Sequence, residues 1–191
     1  MNDFYIEEKR YNMSIQIFIL SKLMEGNNYP YKFKKQISSP LPLDQMGGIT
    51  ESKLYYHFDS LTKQGLIKVV EVIREENRPD KQVYEITPKG RIELPNKIYK
   101  LFENAKSINE MVLGIATLKY VNRNKVLDIL EKKLAMIKQI RSTVMKIDHQ
   151  TITNEHNEKY LEFLDRYFTD NFNLNIYWLE ELITHIRQED I

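Results

Sequence analysis

The stretch ITESKLYYHFDSLTKQGLI, residues 49–67, decides how the chain is read. Leu54, Phe58 and Leu61 recur at helical spacing and mark a buried stripe. Thr50 suits the N-cap, because its hydroxyl can accept a backbone N–H left free at a helix start. Gly65 falls where a left-handed residue closes a helix. Glu51, Ser52, Lys53, Tyr55, Tyr56 and Asp59 remain on the open side. Such side chains ordinarily face water, so the neighbouring sequence must decide whether they face a partner.

Upstream, residues 1–12 are polar and aromatic without a strong period, and read as an arm or a short helix. From Ser14, the positions of Ile15, Phe18, Ile19, Leu23 and Met24 predict an amphipathic helix ending at Gly26. YPYKFKKQI predicts a shorter helix with Pro30 near its start, and SSPLPLDQMGG a loop. Downstream, LIKVVEVI is rich in β-branched residues, REENRPD is turn-like, and KQVYEI is a second strand with Val83 alternating against Glu85. Together they read as a β-hairpin with a long turn. TPKG then opens another helix, with Thr87 as N-cap and Pro88 at the first helical position.

The character changes after residue 105. Ser107 and Glu110 form a capping-box pattern. Residues 109–147 read as helix, with a break near YVNRN. Leu127, Leu130, Leu134, Ile137 and Val144 follow a three-four spacing with Arg141 in one seam position. DHQTITNEHN reads as a polar turn. A last helix from Tyr160 to Ile186 presents Phe163, Leu164, Tyr167, Phe168, Leu174, Trp178 and Leu182. Two helices cannot bury stripes this broad against each other alone, so the same helices of a second chain are expected to cover them. Leu127, Leu130, Leu134, Ile137, Leu174, Trp178 and Leu182 are the expected dimerisation residues.

The 191 residues suit one ordinary domain or two small ones. Residues 1–100 carry 16 Lys and Arg against 13 Asp and Glu, a net +3; the remainder carries 12 against 14, a net −2, giving the overall +1. Any nucleic-acid contact must therefore come from a local patch. The absence of cysteine excludes disulfides, thiolate chemistry and cysteine-ligated zinc. The apolar run Ile15–Met24 is too short and too polar to span a membrane and lacks a cleavage-site pattern, so a soluble, cytoplasmic protein is expected. His149 and His156, beside Asp148 and Glu155, have no helical pairing and no clear third ligand, so no metal and no cofactor is expected. No phosphate-binding glycine loop, no GxSxG and no cluster of nucleophile with base is present, so the chain does not read as an enzyme.

Three helices followed by a hairpin, the third helix exposing hydroxyls and a lysine near its start, describe a winged helix-turn-helix. At these residues the chain resembles the PadR-type transcriptional regulators. EGNNYPYKFKKQI is similar to their first helix junction, ITESKLYYHFDSLTKQGLI to their recognition helix, and RPDKQVYEITPKG to the end of their wing. The likeness spans most of residues 14–187. NLNIYWLEELI resembles the second C-terminal helix of the longer members, which include the AphA-like virulence activators. Pro30 stands where the family usually has glycine, Tyr56 where it has proline, Ser60 where it has a basic residue and Lys81 where it has arginine. Tyr56 and Ser60 lie on or near the reading face, so a sequence preference does not carry over.

The expected fold is mainly α with a small β-hairpin: a winged helix-turn-helix over 1–104 and an antiparallel helical dimerisation domain over 105–191. The expected DNA contacts are Tyr31, Lys32, Thr50, Ser52, Lys53, Tyr55, Tyr56, Arg74, Arg78 and Lys81. The resemblance implies a homodimeric repressor on a palindromic operator. It also implies response to an aromatic small molecule, for which Met111, Tyr120, Tyr167 and Trp178 are the candidate pocket; dimer core is the plainer reading of such a stripe. The alternatives are a winged-helix adaptor that binds another protein, favoured by the low net charge, and an activator acting with another regulator.

Overall fold

Between Ile15 and Leu23 every residue except Gln16 and Lys22 is buried in α1 (Asn2–Glu25) of the computed structural model, which describes residues 2–37, 51–74, 80–144 and 158–191. The sequence predicts an amphipathic helix from Ser14. Instead the helix already runs from Asn2, and this stretch is enclosed nearly all round, as the central element of a fold is. Its one buried hydroxyl, Ser21, is satisfied by donating to the Phe18 carbonyl at 2.9 Å.

Residues 1–104 form one compact unit and residues 105–191 a second. In the first, α1 is followed by α2 (Pro30–Ile37), α3 (Glu51–Lys63), β1 (Ile67–Ile73), β2 (Lys81–Ile86) and α4 (Pro88–Asn104). A line of rings ties these elements together. Phe18 meets Phe33 edge-on at 6.0 Å, Phe33 meets Phe58 at 5.2 Å, and Phe58 lies 4.8 Å from Tyr84. One aromatic from each of α1, α2, α3 and β2 thus fixes α3 against the unit's core.

The hairpin pairs antiparallel from Ile67 opposite Ile86 to Ile73 opposite Lys81, with a bulge between Val69 and Glu71. Asn28 adds a single bridge on the far edge of β2, exchanging backbone hydrogen bonds with Tyr84 at 3.1 and 2.8 Å. The architecture is a winged helix, mainly α with one small antiparallel hairpin.

The second unit holds α5 (Ile108–Ala116), a 3-10 turn (Leu118–Tyr120), α6 (Arg123–Val144) and α7 (Glu158–Gln188). Ser107 caps α5 without a side-chain bond, and Glu110 accepts from the Lys106 N–H at 2.9 Å, one residue earlier than a capping box requires. The helical run breaks at Thr117, whose hydroxyl bonds back to Leu113 and Gly114. It restarts after Asn122, whose side chain accepts from the Lys125 N–H at 3.3 Å. Helices α6 and α7 run antiparallel, since Glu131 pairs with Arg187 and Lys138 with Glu180. The predicted cap Thr50, the loop of residues 38–48, the wing turn of residues 75–79 and the polar turn of residues 148–157 lie outside the described residues.

Candidate nucleic-acid interface

Helix α3 divides its side chains sharply. Leu54, His57, Phe58 and Leu61 are buried, while Ser52, Lys53, Tyr55, Tyr56 and Asp59 are exposed, Tyr56 by 64% and Tyr55 by 46%. Two exposed tyrosines beside a lysine on one short helix combine hydrogen-bonding hydroxyls, flat apolar rings and a cation. That is the mixture a groove of DNA accepts.

The buried stripe contains one residue the sequence reading passes over. His57 completes the spacing Leu54, His57, Phe58, Leu61, yet its polar ring conceals the match to the helical template. It is 1% exposed, neither ring nitrogen has a hydrogen-bond partner, and the Tyr56 ring meets it edge-on at 5.3 Å. Burial, with a smaller contribution from the Lys53 charge, lowers its pKa to about 4, so the ring is neutral near pH 7.

Around this helix stand the flanking groups. Tyr31 and Lys32 are exposed at the start of α2, and Arg74 is exposed at the end of β1. Lys81 opens β2 with its ammonium 5.7 Å from the centre of the Tyr29 ring, which brings Tyr29, absent from the sequence-predicted set, next to a predicted contact. Tyr84 is buried and its hydroxyl donates to Gln82 at 2.7 Å. Burial first, then the Asp59 charge and Tyr55, raises its pKa. Asp59 and Glu71 are exposed acids in the same unit and keep it from being uniformly positive. Of the predicted contacts, Ser52, Lys53, Tyr55 and Tyr56 share one helix face, whereas Thr50 and Arg78 lie outside the described residues.

In the second unit the predicted dimerisation residues separate into two groups. Leu130 and Leu182 are buried within the chain itself, so they are not free to meet a second one. Leu127, Leu134 and Ile137 are half-buried, and Leu174 and Trp178 are about half exposed or more. Met111 is buried, Tyr120 half-buried, and Tyr167 and Trp178 exposed three turns apart on α7, so one chain alone does not gather the candidate pocket. His149 and His156 lie outside the described residues, among which no group of three or more acids and histidines converges. No helix among those residues is long and apolar enough to cross a membrane.

Comparison with known proteins bears on this geometry. Residues 19–96, from the middle of α1 into α4, match the Transcriptional regulator PadR-like family. A transcriptional regulator from Clostridium thermocellum is 32% identical over 52% of this chain and 94% of its own, with a TM-score of 0.42. Bacillus subtilis PadR in complex with operator DNA is 19% identical over 90% of this chain and 98% of its own, TM-score 0.39. The same protein in complex with p-coumaric acid gives 18%, 91% and 99%, TM-score 0.37. None of the curated proteins matches the chain.

Proposed function

Because the chain belongs to the PadR-like family of transcriptional regulators, we propose that it is a homodimeric repressor that binds a palindromic operator and is released by a small aromatic molecule. The family makes it a DNA-binding transcriptional regulator. What supports the specific reading is the exposed ridge Ser52, Lys53, Tyr55 and Tyr56 on a helix whose opposite face is locked into the core.

In this reading the N-terminal half of α3 enters the major groove and those four side chains meet base edges and backbone. Tyr31 and Lys32 hold phosphates on one flank; Arg74 and Lys81, with Arg78 of the wing turn, hold them on the other. Thr50 precedes the helix and contributes its hydroxyl. Residues 1–104 are the DNA-binding domain and residues 105–191 the dimerisation domain of the longer, AphA-like type. The dimer places two α3 helices about one DNA turn, roughly 34 Å, apart, so each half-site is met by the same face.

The dimer surface is the exposed apolar side of α7, Leu174 and Trp178, with Leu127, Leu134 and Ile137 of α6. A pocket for an aromatic effector, lined by Met111, Tyr120, Tyr167 and Trp178, would need a second chain to close it. An effector bound there acts only through unequal affinity for the DNA-competent and incompetent arrangements.

Exposed Val69, Val70 and Val72 on β1 favour a second reading, in which the wing meets a protein instead of DNA. A titration of the purified chain against the duplex upstream of its own gene, at several salt concentrations and with an unrelated duplex as control, separates the two. Tight, sequence-preferring binding that weakens steeply with salt supports the regulator, since phosphate contacts release counterions. Equal and weak binding of both duplexes supports the adaptor. Quenching of Trp178 fluorescence that saturates with p-coumaric acid, used as the first probe, would support the effector pocket; a linear response would leave Trp178 as interface alone.

A further inference from the structure

The exit of α3 is held from outside the helix, by residues that begin α4. Gly65, with φ +70°, and Leu66 close α3 through two backbone bonds, Gly65 N–H to Thr62 and Leu66 N–H to Leu61, both 2.9 Å. That closure leaves the carbonyls of Gln64, Gly65 and Leu66 pointing away from the helix. All three accept from Thr87 and Lys89. The Lys89 ammonium donates to Gln64 at 2.8 Å, the Thr87 hydroxyl to Gly65 at 2.7 Å, and the Thr87 backbone N–H to Leu66 at 3.0 Å. The same hydroxyl accepts from the Gly90 N–H at 3.0 Å and so caps α4 while it grips α3. Gly90 is packed so closely that a Cβ there would lie 2.1 Å from the Leu66 carbonyl oxygen.

We infer that Thr87, Lys89 and Gly90 are positioning residues for DNA recognition: they lock the C-terminal end of α3 to the start of α4, so that the two helices turn as one body and the reading face keeps one angle to the groove. The inference rests on the reading of α3 as the recognition helix. The geometry fits a positioning role better than a purely stabilising one. The Lys89 bond to Gln64 is solvent-exposed, where water replaces a lost partner at little cost to the fold, whereas the Thr87 hydroxyl also caps α4, so its loss lowers stability as well. Direction is different, because nothing in water restores the angle between two helices. Lys89 also brings its charge to the carbonyl end of α3, where a cation is favoured.

The test uses the full chain and two probes: the duplex it selects most strongly from a random-sequence pool, and a scrambled duplex of the same composition. Lys89→Met and Thr87→Val are compared with Lys89→Arg and Thr87→Ser, which keep a donor at each place, and with Lys53→Ala/Tyr55→Ala. The expected result is a roughly tenfold loss of preference for the selected duplex in Lys89→Met and Thr87→Val, the scale of one poorly met base pair. Scrambled-duplex affinity and salt slope stay as in the parent, and the conservative variants recover the preference. Equal loss on both duplexes with a salt slope reduced by about one would make Lys89 a phosphate contact and overturn the inference. A full preference in Lys89→Met, or a loss that only tracks melting temperature, overturns it too. If Lys53→Ala/Tyr55→Ala keeps the parent's preference, the reading of α3 falls and this inference with it; if that pair loses preference while the clamp variants keep it, the inference falls alone.

Discussion

Within α3, neighbouring residues are held to opposite demands. Tyr56 and Tyr55 face water, while His57, one position on, is sealed with both ring nitrogens unpartnered. A pKa lowered from 6.5 to about 4 means that the unfolded chain binds a proton on His57 at pH 5 and the folded chain does not. His57 therefore makes stability rise with pH across the window from about 4 to 6.5, and each unit of that depression corresponds to about 1.4 kcal/mol. Urea midpoints measured across that window should fall on acidification in the parent and fall less in His57→Leu; parallel curves would place the acid sensitivity elsewhere. The exposed neighbours predict the opposite kind of variant. Lys53→Ala with Tyr55→Ala should leave the melting temperature near that of the parent, because neither side chain is buried. A marked drop in melting temperature would show that the ridge supports the fold.

At the scale of elements, the two glycines of this region separate conformation from space. A Cβ on Gly65 meets no atom within 4 Å, so Gly65→Ala costs only the left-handed backbone, about 1 kcal/mol. At Gly90 a Cβ collides with backbone at Leu66. Melting temperatures should therefore fall further for Gly90→Ala than for Gly65→Ala, and the reverse order would contradict the close packing of α3 on α4. Much of this region is legible in the sequence, because its signals are local: the Leu54, Phe58, Leu61 stripe, Gly65 at the helix exit, Thr87 and Pro88 at the next helix start. The clamp itself is not, since Thr87 and Gly65 are 22 residues apart and no periodicity joins them. His57 escapes notice because burial there contradicts its chemistry, although its spacing fits. The start of α1 is equally hidden, because residues 2–12 carry no apolar period to mark them as helix. In the second unit, spacing alone cannot tell which seam faces its own chain: Leu130 and Leu174 both satisfy it, yet only Leu130 is buried. Leu130→Asp should thus lower stability by roughly 3 kcal/mol, whereas Leu174→Asp with Trp178→Asp should keep the helices and abolish dimerisation. Sedimentation with circular dichroism distinguishes these outcomes, and a dimer surviving the second pair of changes would move the interface off this side of α7.

For the whole molecule, the proposed mechanism asks two units to divide the work. One presents a rigid reading head; the other sets how far apart two such heads stand. With a net charge of only +1, affinity for DNA cannot come from overall attraction and must be local, so binding should depend on few side chains and on sequence. In the proposed mechanism, an effector that altered how two chains meet would change the spacing of the heads without touching either one. The most direct test of the central claim, that the exposed face of α3 reads DNA, is the ratio of affinities for the selected and scrambled duplexes in the parent chain and in Lys53→Ala/Tyr55→Ala, at one fixed salt concentration. A clear preference is expected in the parent, collapsing toward unity in the variant, with the fold intact by circular dichroism. A variant that keeps the parent's preference would contradict that claim and place the reading surface elsewhere on the chain.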